Sequence, residues 1–197
     1  IKPDRSHFLM SQPESKLSIP EEFYNSETNE PFQTCMMCNQ SLAEKQYMVE
    51  KAIKNYPSLG TKEIIFEYAM CIECAGKMHM ELSEESRNRI GDYMKTHLAG
   101  KTHLPIEGKP DVNKLLNQCI VRESDVNQSA EYSIYAMCNG TNMTINDFPY
   151  ALSGEVQDEI MQLLSAKSLD ILDDFIGNHF TGPPEVKEIL RRRPVLI

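Results

Sequence analysis

The residues best equipped for chemistry in this chain are two Cys-x-x-Cys pairs, Cys35-Met36-Met37-Cys38 and Cys71-Ile72-Glu73-Cys74. Two sulfurs three residues apart on a tight turn can reach one ion, and four thiolates complete a tetrahedron around a borderline-soft cation. One structural zinc ion held by Cys35, Cys38, Cys71 and Cys74 is the expectation. Other chemistries use the same residues. An iron–sulfur cluster also accepts four thiolates, and two disulfides would suit an exported chain. A thioredoxin-like redox site needs one pair in a βαβ setting, which is missing here. Two distant pairs are the commoner zinc arrangement, so zinc comes first.

Other candidate groups are weaker. A catalytic zinc keeps an open position and usually includes histidine, whereas four cysteines close the shell. His79 follows Cys74 by about one helical turn and reads as a surface or packed residue. His97 and His103 recur in two Lys-Thr-His-Leu strings. No histidine lies between Cys38 and Cys71, which argues against a metal-dependent nuclease. Asp170, Asp173 and Asp174 follow Ser168 and read as the start of a helix, where acidic side chains suit the dipole. No phosphate loop, nucleophile elbow or HExxH occurs. Arg191-Arg192-Arg193 is the one dense basic run and reads as a solvated tail. Met36 and Met37, inside the first pair, read as cover for the metal site.

The elements that must position the cysteines can be traced along the chain. The first pair sits on a turn. Residues 46–53 and 63–70 read as a hairpin around a Pro-x-x-Gly loop, the second segment being rich in β-branched and aromatic residues while the first would equally suit a short helix by composition. Cys74 opens a helical stretch. Ser83-Glu84-Glu85 then caps a helix with Ile90, Tyr93, Met94 and Leu98 on one face. A helix start favours negative charge and so stabilises the Cys71 and Cys74 thiolates. Knuckle, hairpin, then a helix that supplies the last ligands: residues 35–98 resemble the treble-clef zinc-finger superfamily. The resemblance implies a bound metal more than a particular role, because that fold serves many functions.

The whole chain reads as α+β. Residues 1–33, with Pro3, Pro13, Pro20 and Pro31, form an extended arm, either docked or disordered. Residues 34–104 form the zinc domain and 105–110 a linker. Residues 111–182 form a second small α+β domain with helices at its end, and 183–197 a short helix and tail. In that second block, a short helix near Leu115 precedes strands at Cys119 and at 131–137, with a turn at Asn139-Gly140. Helices follow from Ser153 and Ser168.

An internal echo links the two blocks. Phe66-Glu67-Tyr68-Ala69-Met70-Cys71 answers Ser133-Ile134-Tyr135-Ala136-Met137-Cys138, and Leu82-Ser83 answers Leu152-Ser153. Either the match is coincidental or the second block is a degenerate, metal-free repeat. The repeat reading places Cys119 and Cys138 together as buried thiols.

Composition limits function. Hydrophobic residues make up 41%, charged residues 25% and aromatic residues 8% of 197, with no tryptophan. The net charge of −9 opposes phosphate backbones, so nucleic acid is disfavoured. No apolar run is long enough for a membrane helix, and no signal-peptide pattern begins the chain. Paired cysteines without a leader point to the cytoplasm. The sequons at Asn127, Asn139 and Asn142 carry little weight without a secretion signal. The leading functional expectation is a non-enzymatic interaction or scaffold module that binds a protein partner or itself. The first alternative is a nucleic-acid-associated regulatory zinc finger using Lys45, Lys51, Lys54 and Lys62. The second is a hydrolase with an unrecognised site.

Overall fold

A long hairpin organises the molecule. In the computed structural model, which describes residues 16–99, 110–145, 147–180 and 191, strand β2 (Gln46–Tyr56) and strand β3 (Thr61–Cys71) pair directly, with a bulge at Ala52/Ile53. Gly60 turns the connection at φ 63°, a left-handed conformation that costs a Cβ-bearing residue energy. The hairpin is where the sequence places it, with longer strands.

The other side of β2 is occupied as well. Strand β4 (Glu131–Asn139) lies antiparallel to it, from Gln46 opposite Asn139 to Lys54 opposite Glu131. Strand β5 (Asn142–Thr144) and strand β6 (Tyr150–Ser153) both pair with β4, at opposite ends. Strand β1 (Lys16–Ser18) adds to β5 and completes a six-stranded mixed-length antiparallel sheet. Residues 34–104 and 111–182 therefore share one sheet instead of building one each. The physical reason is the apolar character of β2: Tyr47, Met48, Val49 and Ala52 are all buried, and a strand of that kind needs neighbours on both edges.

Helices α1 (Ile72–Glu81) and α2 (Glu84–Leu98) follow β3, α3 (Val112–Asn117) precedes β4, and α4 (Gly154–Met161) and α5 (Ala166–His179) follow β6. The fold is mixed α+β. One sheet face carries Glu50. There Gln157 of α4 donates to the Ser133 and Tyr135 hydroxyls, and Phe180 packs edge-on against Phe66 and Tyr68. Alternation puts Lys51 on the opposite face, where its ammonium pairs with Glu67 at 3.0 Å and donates to the Tyr24 carbonyl.

That last contact belongs to the N-terminal arm. Within the described part of 1–33, residues 16–18 form a strand, and Ile19 and Phe23 are buried core residues. Sparse apolar residues hid this, because one fully buried phenylalanine suffices to anchor a short segment. The linker at 105–110, apart from Pro110, and the C-terminal segment 183–197, apart from Arg191, lie outside the described residues.

Two helix starts are joined in a way the sequence did not reveal. Ser83 caps α2, as expected, by accepting from the Ser86 N–H at 3.1 Å. Helix α5 starts earlier than read: Ser165 is its cap, and Ser168 lies inside the first turn. In an ordinary capping box the third helical residue reaches back to its own cap N–H. Here the bonds are exchanged between helices. The Ser83 N–H donates to Ser168 Oγ at 2.9 Å, and the Ser165 N–H to Ser86 Oγ at 2.8 Å. Asp170, Asp173 and Asp174 consequently sit beyond the first turn.

The repeat reading fares unevenly. The strands of the echo do occupy matching places. Its downstream half does not, since Ser83 follows a helix whereas Ser153 ends a strand and makes no side-chain cap bond. Cys119 and Cys138 are both buried but not together. Cys119 bridges Ala151, which faces Ile134. Cys138 lies four residues farther along β4, about 13 Å at the usual strand rise.

Candidate metal centre

Cys35 and Cys38 owe their position to a closed loop. The Cys35 N–H donates to the Gln40 carbonyl and the Asn39 N–H to the Cys35 carbonyl, both at 2.9 Å. Asn39 takes the left-handed conformation, φ 55°, that such a reversal needs and that asparagine tolerates. The Met36 N–H donates to the Ala69 carbonyl at 2.9 Å, which pins the loop to the end of β3. Cys71 closes that strand and is the cap residue of α1, without a side-chain cap bond. Its sulfur is thus free for another partner, and Cys74 follows in the first helical turn.

All four sulfurs lie within 4.8 Å of one another, and the Cys38 and Cys71 sulfurs are 3.9 Å apart. A disulfide would bring a pair to about 2.05 Å, and all six cysteines are free thiols. Cys35, Cys71 and Cys74 are buried, and Cys38 is exposed. The Cys71 N–H points at Cys35 Sγ at 3.4 Å. Burial works to raise the Cys35 thiol, but N–H donors from Cys38, Cys71 and Met37 outweigh it and bring it down to about 7. Such donors favour a thiolate and fix its direction. Burial, with neighbouring thiols second, pushes Cys74 up. The four cysteines together could hold one metal ion.

The other candidates disperse. His79 is half-buried on α1, outside the sulfur cluster. His97 lies against the Tyr93 ring, 4.1 Å between centroids, with Nδ1 2.8 Å from the Tyr93 carbonyl. His103 lies outside the described residues. Asp170, Asp173 and Asp174 are exposed on α5, and Asp173 pairs with Arg191 at 3.0 Å. Met36 and Met37 pack half-buried against the core, as expected of cover. Each lysine of the hairpin has a partner. Lys51 is buried in its ion pair, Lys45 donates to Gln40, Lys62 donates to Asn127 and Tyr132, and Lys54 lies over the Tyr56 ring.

The structure adds a polar row that motif reading missed. Glu50 is 1% exposed and receives hydrogen bonds from Tyr68 on β3 and Tyr135 on β4, while Tyr150 of β6 stacks on Tyr135. The row crosses four strands at one register level. Its trace in the sequence is a glutamate flanked two residues away by Met48 and Ala52, on the face where a strand should be apolar. Burial first, and the Glu50 carboxylate second, hold the Tyr68 and Tyr135 hydroxyls well above the usual range.

Among the described residues no helix is long and apolar enough to cross a membrane. No family model, curated protein or solved structure matches the chain.

Proposed function

We propose that Cys35, Cys38, Cys71 and Cys74 hold one structural zinc ion in a treble-clef arrangement, and that the protein is a non-enzymatic interaction module stabilised by it. The observation that carries this reading is the convergence of four sulfurs on one point. A tetrahedral zinc with Zn–S bonds of about 2.3 Å sets its sulfurs about 3.8 Å apart, close to the 3.9 Å between Cys38 and Cys71. The order knuckle, hairpin, helix start supports the treble-clef reading. Four thiolates leave no open position for substrate or water, so the ion fixes structure. The acidic charge and the engaged hairpin lysines favour a protein partner, or a second copy, over nucleic acid.

Elemental analysis of protein purified under reducing conditions tests the metal. One equivalent of zinc is expected, lost in Cys38→Ser; iron, or no metal at all, overturns the assignment. Light scattering across a concentration series, with and without candidate protein partners, tests the interaction role. An inert monomer throughout would count against it.

A further inference from the structure

Beside the cysteine cluster a cleft of about 180 Å³ opens between the knuckle, α1 and α5. Met37, Met78, Ile171 and Phe175 make its apolar wall, and Glu81, Asp174, Asn178 and His179 complete the lining. Met78 and Phe175 belong to the buried core, while Met37 and Ile171 are half-buried. Glu81, Asp174 and Asn178 are exposed. Among the described residues, carboxylates line the cleft and no lysine or arginine does.

We infer that this cleft is the docking surface of the interaction module, and that it takes a peptide segment presenting one bulky aliphatic side chain beside a lysine or arginine. The inference rests on the proposed zinc site, because Met37 lies between two of its ligands and is placed by them. Three features define the occupant. The floor is apolar and the cleft holds little more than one large side chain, so the anchor is a single leucine, isoleucine or methionine. Methionine adapts its shape, so Met37 and Met78 accept any of these. The charge is one-sided: Glu81 and Asp174 come from different helices and flank the apolar wall, so a cation beside the anchor meets both. A net charge of −9 steers basic partners toward the molecule and repels acidic ones.

Selection of a random heptapeptide library against the zinc-loaded full chain tests this. Enriched sequences are expected to pair an aliphatic residue with a neighbouring lysine or arginine. Fluorescence anisotropy with an enriched peptide should show about fivefold weaker binding to Asp174→Lys, the size of one surface charge pair. A peptide with glutamate in place of the basic residue should recover on that variant. Ile171→Ala, at a half-buried surface position, should weaken every enriched peptide. Enrichment of acidic or purely polar peptides, or binding indifferent to both variants, overturns the docking surface. Zinc measured in the same samples separates the two proposals. A zinc-loaded protein that fails these tests refutes the cleft alone, and charge-dependent binding by protein without zinc refutes the metal reading while the cleft stands.

Discussion

Strands β3 and β4 flank β2 as near equivalents, yet only β3 ends in the four-cysteine cluster. Tyr47 faces both Cys71 and Cys138, Met48 faces Met70 and Met137, Val49 faces Ala69 and Ala136, and Glu50 faces Tyr68 and Tyr135. The echo in the sequence thus falls on two strands that face the same residues of β2. What differs is the next step of the chain. After Cys71 a helix begins at once, adds Cys74, and meets the knuckle. After Cys138 the chain turns at Gly140 into β5, and the thiol stays in the core beside the Tyr47 hydroxyl, away from the cluster. Local continuation, rather than the strand itself, decides which cysteine joins the cluster.

The largest expected effect breaks the pair apart. Cys71→Ser, or chelation, should release the metal and unfold the knuckle and hairpin end, since structural zinc contributes on the order of 10 kcal/mol in small fingers. Cys138→Ala should leave the metal content unchanged and cost about 1–2 kcal/mol, as loss of a small buried group does. Metal analysis beside thermal melts reads both. Equal damage from the two substitutions would dissolve the distinction.

Next comes the turn that diverts β4. Gly140 has φ 55°, and an added Cβ would lie 2.5 Å from the Ala43 carbonyl oxygen. Gly140→Ala should cost about 2–4 kcal/mol by strain and clash together. Gly60→Ala in the β2–β3 turn meets nothing within 4 Å and should cost about 1 kcal/mol. Urea denaturation of the two variants compares them directly.

The polar row offers a subtler contrast. Tyr135→Phe should cost about 2–3 kcal/mol, because it strips a donor from Glu50 and an acceptor from Gln157. Tyr68→Phe removes only the bond to Glu50 and should cost about 1–2 kcal/mol. A reversed order would mean that Gln157 draws nothing from Tyr135.

A last contrast concerns protons. Burial pushes the Cys138 thiol up to about 12, against about 8.5 in an unfolded chain. Between those values the unfolded state has released a proton that the folded state keeps, so stability falls as pH rises from about 9 to 12. Cys138→Ala should flatten that part of a stability-versus-pH curve, measured by urea titration. An unchanged slope would show that Cys138 is not the group responsible.

How much of this was legible beforehand varies with the range of the interaction. Cysteine spacing, the hairpin turn and the Ser83 cap depend on residues near in sequence, and each appears where the residue pattern puts it. The start of α5 was misplaced because Ser165 and Ser168 both suit a cap, and only contact with α2 distinguishes them. The N-terminal strand was invisible for a similar reason: Lys16–Ser18 becomes a strand only because β5 is there to pair with it.

By itself the sequence determined the four sulfurs, the turn that presents the first pair, and the strand end and helix start that present the second, since these follow from spacing and local backbone preference. Only the tertiary structure decided that both blocks share one sheet, that Glu50 lies between two tyrosines, and that Cys119 and Cys138 stay apart. Those outcomes depend on which strand pairs with β2. Pairing is a contest among distant segments, settled by the whole buried surface and not by any stretch of chain alone.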